Sequence, residues 1–416
     1  MSTEADPVVV LITMDRETES LVFTRSDSKE ARFPLKSSPF ETSSVLSKVH
    51  LTPSKGALLV VTQHGDEILF ELPIHDGPDQ LGGRLVMYLD QNQWSVLSNA
   101  FHKTGEASKE ECEAADRIAA WVKKGHLVLP ASAGHYYETS KRFDTRKRYG
   151  LGLTVLQYSR GWQMRDPLRV RRNEVHDGLC LRLSKPDTMR AEAVFTLDAN
   201  AIYSPTRGMN GYSASADLPP AQARAVEVLT AAVVSIDTML DAEWLEPGPD
   251  TGWTAANQRF SDWLDEQERD PQQKRKAIDA FLLSDLRREL AEESYLAGLP
   301  LEQLSQWFTK DVIRDISGYP MLGVFREMLH HRHLNKGTTW RPNDLMDMIY
   351  LSCAAGYADL VVCEKHMREP LTHGVRRVGR PTRVFRRLAE AVDAIEEVLA
   401  SAPATRRPTI ESEHTG

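Results

Sequence analysis

Four carboxylates fall where apolar runs of the chain end or begin: Asp90 in YLDQNQW, Glu138 in SAGHYYE, and Asp347 and Glu364 at the two ends of DMIYLSCAAGYADLVVCE. A buried aspartate needs a partner or a metal ion. Four such groups on one edge of a fold repel one another strongly unless cations lie between them. Oxygen-only clusters of this kind suit Mg²⁺ or Mn²⁺. Those ions activate water and stabilise the charge of a phosphodiester transition state, so the chemistry to look for is metal-assisted hydrolysis.

The elements that must position these acids can be read from the flanking residues. LVMYL (85–89), HLVLP (126–130) and LVVC (360–363) are short continuous apolar runs, as expected of strands buried on both faces of a parallel sheet. Ligands of such sheets bind beyond the carboxyl ends of the strands, which is where Asp90 and Glu364 stand. Asp90 is equally suited to cap the helix that follows. Asn343 can cap a helix whose first turns hold Asp344 and Asp347, and Met348 to Tyr357 is apolar nearly all round, as in a buried helix. Asp344 shares a face with Asp347, as an extra metal ligand or as simple N-terminal charge.

Smaller candidates surround the acids. His135 lies three residues before Glu138 and could bind a substrate phosphate or make a structural hydrogen bond. Asn92 could hold a metal-bound water or cap a helix. KRFDTRKRYG gathers Lys141, Arg142, Arg146, Lys147 and Arg148 after Glu138, with Lys141, Arg146 and Arg148 as candidate phosphate contacts. RVRR (169–172) and GVRRVGRPTRVFRR (374–387) add positive charge, although charge runs are usually solvated faces. Tyr136, Tyr137 and Trp94 could stack on bases, with packing the favoured role. LHHRH (329–333) lacks a cysteine or acid at zinc spacing and is expected to be a polar helix end.

The rest of the chain divides by pattern. Residues 1–80 read as an N-terminal β module of short antiparallel strands, followed by the turn-rich linker HDGPDQLGG (75–83). Residues 84–185 carry a strand, helix, helix, strand rhythm, the first part of an α/β core. Residues 186–335 are expected to be a mainly helical insertion, with Gly298 stopping one helix. Residues 336–402 return to α/β and close with an amphipathic helix from about Thr382 to Ala402. A disordered tail is expected at 403–416.

Composition narrows the class. At 416 residues the chain can fill two or three cores, and 41% hydrophobic with 26% charged residues is ordinary for a globular protein. Its four cysteines are scattered, without a C-x-x-C pair, which suits a reducing cytoplasm. Neither a signal peptide nor an apolar run of membrane-spanning length is expected. The net charge of −8 does not advertise a nucleic-acid binder, but local basic patches can serve an acidic protein.

The order of these pieces resembles the PIN-like nucleases, metal-dependent enzymes that include toxin ribonucleases and flap endonucleases. It also resembles a bacterial subgroup with YLDQN-x-W, S-x-x-H-x-x-E and N-D-L-x-D segments, present here as YLDQNQW, SAGHYYE and NDLMD. The resemblance covers about residues 85–175 and 319–400. It implies a three-layer α/β/α core around a central parallel sheet, preceded by the β module and interrupted by the helical insertion. Asp90 would match the acid ending the first strand and Glu138 the acid on the helix after the second. Asp347 would match the acid opening the penultimate helix. Glu364 would match the acid ending the fourth strand, one carbon longer than the usual aspartate. The implied activity is phosphodiester hydrolysis with one or two Mg²⁺ or Mn²⁺ ions, on nucleic acid and most often RNA. Because related toxins often dimerise, the resemblance leaves room for a homo-oligomer or a regulatory partner protein. The competing expectation is a catalytically silent PIN-like module that binds RNA or protein.

Overall fold

The computed structural model describes residues 7–34, 43–72, 80–198, 200–203, 229–241 and 252–401. The expected tail, parts of the expected helical insertion (204–228 and 242–251) and most of the 75–83 linker lie outside them.

Strands β1 (Val9–Asp15), β2 (Ser20–Arg25), β3 (Glu30–Pro34), β4 (Leu46–Thr52), β5 (Ala57–Thr62) and β6 (Glu67–Glu71) form one antiparallel sheet in the order β3-β2-β1-β4-β5-β6. Two-residue alternation turns Leu58, Val60, Ile68 and Phe70 inward. The sheet is clamped to the following domain at Glu71, whose Oε2 accepts from Arg84 Nη1 (2.7 Å) and Trp162 Nε1 (2.9 Å).

The chain continues through β7 (Leu85–Leu89), α1 (Gln91–Phe101), α2 (Lys109–Lys123), β8 (Leu127–Val128), α3 (Ala133–Ser140), α4 (Thr145–Ser159), β9 (Gln163–Met164), α5 (Pro167–Arg182) and β10 (Phe195–Thr196). Residues 229–236 are helical and end in a π turn, Asp237–Asp241. Then come α6 (Trp253–Glu266), α7 (Pro271–Leu296), α8 (Leu301–Gln306), α9 (Val312–Gly318), α10 (Pro320–Leu334), α11 (Asp344–Tyr357), β11 (Leu360–Val362), α12 (Lys365–Val378), β12 (Arg383–Phe385) and α13 (Leu388–Ser401). Among the described residues no helix is long and apolar enough to cross a membrane.

Strands β12-β11-β7-β8 make a parallel sheet, so the architecture is mixed α/β. Val86 and Tyr88 of β7 enter one hydrophobic core, with α5, α7, α10 and α11. Met87 and Leu89 enter the other, with α1, α2, α13 and the β module. Helices α7 and α10 of the segment expected to be an insertion thus share one covering layer of the sheet with α5 and α11. Two further expectations need correcting. HLVLP pairs over only two residues, and the ladder stops before Pro130, which has no N–H to donate. The closing helix begins at Leu388 rather than near Thr382, because Arg383–Phe385 adds a parallel edge strand beside β11.

Local chemistry fixes the elements that carry the acids. Gly298, with φ +72°, ends α7 in a Schellman turn: its N–H reaches Tyr295 O, and Leu299 N–H reaches Ser294 O. Gly356 lets α11 approach α10, since a Cβ there would meet the Pro320 carbonyl carbon at 2.8 Å. Glu174, buried on α5, accepts from Met321 N (2.6 Å), Leu322 N (2.9 Å) and Tyr357 OH (2.7 Å). It holds the start of α10 against α11, and burial pushes its carboxyl up to about 7.

The histidines expected at a polar helix end are mostly interior. His330 contacts Asp279 at 2.7 Å, and His333 lies between Ser261 and Asn257. Only His331 of the three is partly exposed.

Candidate active site

The parallel register places Val362 beside Leu89, so Asp90 and Glu364 leave the sheet at the same edge. Asp90 caps α1: its Oδ1 accepts Gln93 N–H at 3.0 Å, and its Oδ2 accepts Glu364 N–H at 2.6 Å. Burial raises the Asp90 carboxyl to about 7, and the Glu364 charge adds to the shift.

Asp347 enters from α11. Burial raises its carboxyl to about 7, and the charges of Asp90, Glu364, Glu138 and Asp344 push the same way. Among the described residues no donor reaches the Asp347 carboxylate. It differs in this from Asp90, which has backbone donors, and from Glu138 and Glu364, which have Lys141 and His366.

Glu138 on α3 and Glu364 at the start of α12 form the outer wall. Glu138 Oε1 lies 3.3 Å from Lys141 Nζ, which also sits 3.8 Å from the Tyr137 ring centre. Glu364 Oε2 lies 3.1 Å from His366 Nδ1. These side chains remain 33% and 40% exposed, against a half-buried floor at Asp90 and Asp347. Asp90, Asn92, Glu138, Lys141, Asp344, Asp347 and Glu364 all line one cleft of about 730 Å³.

Several expected roles are corrected. Asp344 is only 2% exposed, and its Oδ2 is taken by Arg332 Nη2 (2.7 Å) and Arg341 N–H (2.6 Å). It anchors the start of α11 through that oxygen while lining the cleft, and the Asn343 side chain makes no capping bond. His135 is buried beneath the cleft floor. Ser132 N–H donates to its Nδ1 at 3.1 Å, so Nε2 carries the proton and donates to Leu89 O at 2.8 Å. Burial lowers its pKa to about 4, so the ring is neutral and braces Asp90's strand instead of meeting phosphate. Arg148 is also buried, donating to the Arg142 carbonyl at 3.2 Å. Arg146 is exposed but lies outside the cleft lining. The RVRR arginines are paired with acids: Arg169 with Glu192, Arg171 with Glu289, and Arg172 with Glu292 and Glu293. Trp94 and Tyr136 are packed inside.

Other cleft residues are new. Gln91, Arg341 and His366 join the lining, as does Arg142 of the basic group after Glu138. Each lies within three residues of an acid or of Lys141, and that adjacency was the only signal they carried. Gln91 Oε1 is buried without a donor among the described residues.

The donors suit a hard divalent cation: all are oxygens, two are desolvated, and Asp347 has no donor of its own. Yet among the described residues no three His, Cys, Asp or Glu side chains are arranged as a ready metal-holding set. Asp90 and Asp347 would hold the ion, and Glu138 and Glu364 would have to swing inward from Lys141 and His366. The chain matches no family model, no curated protein and no solved structure.

Proposed function

We propose that the chain has a PIN-like core and acts as a metal-dependent endonuclease, with RNA as its substrate. The observation that carries this reading is electrostatic. Four acids from four separate elements face one cleft, and two of them are raised to about 7. Burial is the larger cause of both shifts, and the neighbouring acids add to them. Structural caps and salt-bridge partners do not need four acids on one partly desolvated wall, whereas a cation site gains from them. The order expected from the resemblance also supports it: Asp90 follows β7, Glu138 lies on the helix after β8, Asp347 opens α11 and Glu364 follows β11.

In this mechanism bound Mg²⁺ or Mn²⁺ would supply charge neutralisation and lower the pKa of an attacking water. The chain's own residues position and shield. Asp90 and Asp347 form a rigid floor, one fixed by two backbone hydrogen bonds and the other by a buried helix. Lys141, Arg142 and Arg341 stand on the cleft wall, where cations hold a phosphate backbone. No protein nucleophile is required.

A second reading has an observation of its own. Glu138 and Glu364 are engaged by Lys141 and His366, and no three acids are yet arranged to hold an ion. That suits a silent module that binds nucleic acid or protein. One experiment separates the two. Purified protein is incubated with RNA, single-stranded DNA and duplex DNA in Mn²⁺, Mg²⁺ or EDTA, beside an Asp90→Asn/Asp347→Asn variant whose fold is checked by melting. The nuclease reading expects metal-dependent cutting of RNA that the variant lacks. No cutting, together with no Mn²⁺ binding by calorimetry, would leave only the silent module.

A further inference from the structure

The loop joining α3 to α4 carries an aromatic residue whose placement packing does not explain. Phe143 is 87% exposed, while its neighbour Arg142 and nearby Lys141 line the acidic cleft. The loop is braced on both sides of it. Arg142 donates to Ser95 Oγ at 2.6 Å, and its carbonyl accepts from buried Arg148. Asp144 caps α4, accepting Lys147 N–H at 3.0 Å. A single exposed apolar side chain is ordinary on a protein surface. Here the ring is held out by anchored neighbours, with Lys141, Arg142 and Arg146 next to it in sequence.

Cations that track a phosphate backbone, interleaved with an exposed aromatic face, make a platform for unpaired bases. We propose that Phe143 stacks on a base of a single-stranded nucleic acid whose backbone enters the acidic cleft. In a duplex the base faces are covered by their neighbours and the platform has nothing to receive. The occupant is therefore a single strand or the loop of a folded RNA. The inference rests on the nuclease reading, and it gives that site a substrate class.

The test uses the full chain with Ca²⁺ replacing Mg²⁺, and follows anisotropy of a labelled short single-stranded RNA, the same strand with abasic positions, and a duplex. Phe143→Ala should weaken binding of the intact strand about tenfold. It should leave the abasic strand and the duplex unchanged, and Phe143→Trp should restore the parent affinity. Because the ring is exposed, the melting temperature should not move. Equal binding of the intact strand by Phe143→Ala and parent would overturn the stacking role while leaving the nuclease reading in place. A parent chain that neither binds nor cuts any nucleic acid would overturn both. Binding loss by Phe143→Ala toward a protein partner, with none toward RNA, would make the ring a protein contact and overturn the inference.

Discussion

The Oδ2 atom of Asp90 accepts the backbone N–H of Glu364 at 2.6 Å. One side chain therefore joins the ends of β7 and β11, caps α1 and presents negative charge to the cleft. Asp347 does none of the structural work, since among the described residues no donor reaches its carboxylate. The two acids should separate cleanly in stability measurements. Asp90→Ala should lower the metal-free melting temperature, because two hydrogen bonds to a charged acceptor are lost, each worth about 1.5–3 kcal/mol. Asp347→Asn should raise it, because repulsion is relieved and no bond is broken. Both should abolish cutting, the usual conflict between stability and function at such sites. A fall in melting temperature for Asp347→Asn would mean that its carboxylate is a structural partner.

Proton uptake gives an independent readout. Asp90 and Asp347 are raised from 3.8 to about 7 in the folded protein. Between those values the folded chain holds protons that the unfolded chain has released. Without metal, these groups therefore make stability fall as pH rises from about 4 to about 7, and the deficit is fully present above 7. At about 1.36 kcal/mol per pH unit for each group, the two together amount to at most about 9 kcal/mol. Denaturant melts of the parent and of the Asp90→Asn/Asp347→Asn variant should diverge in slope across that window. Mn²⁺ competes with the same protons, so its affinity should weaken as pH drops below 7. Parallel pH profiles for the two proteins would contradict the assignment.

Asp344 should behave as an anchor. Removing it leaves the half-buried Arg332 guanidinium with the Thr339 carbonyl (3.1 Å) and the Trp340 ring (4.3 Å) but no opposite charge. Asp344→Ala should cost about 3–5 kcal/mol. Asp344→Ala with Arg332→Met should recover part of that loss, because both charges then leave the interior together. If Asp344→Ala melts like the parent but binds Mn²⁺ poorly, the residue is a ligand after all.

How much of this was legible in the sequence depended on whether a residue's job was local. The runs before Asp90 and Glu364 announced buried strands, and their acids do share an edge. Gly298 announced a helix stop because a positive φ is a property of one residue. His135 and Arg148 gave no such warning. Their spacing from Glu138 suggested substrate contact, but tertiary packing buried both side chains, one on Leu89 O and the other on Arg142 O. Asp344 misled for the same reason, since its partner Arg332 lies on a different helix. The edge strand at Arg383–Phe385 was hidden in an amphipathic stretch, and only pairing with β11 defines it. The RVRR arginines read as a basic patch until the acids of α7 were seen beside them.

Salt dependence should sort the remaining cations by role. Lys141 lines the cleft with its side chain 25% exposed, while Arg148 is buried and serves the Arg142 carbonyl. A cation that neutralises one phosphate contributes about one unit to the slope of log affinity against log salt. Lys141→Met should therefore weaken RNA binding uniformly across sequences and flatten that slope by about 1. Arg148→Met should leave the slope alone and instead lower stability by about 1–2 kcal/mol, since a buried hydrogen bond is lost. Lys141→Met also frees Glu138 from its ion pair, so Mn²⁺ should bind at least as well as in the parent. Should Lys141→Met keep the full salt slope, its ammonium belongs to Glu138 and Tyr137 rather than to a phosphate, and the backbone path must run along Arg142 and Arg341.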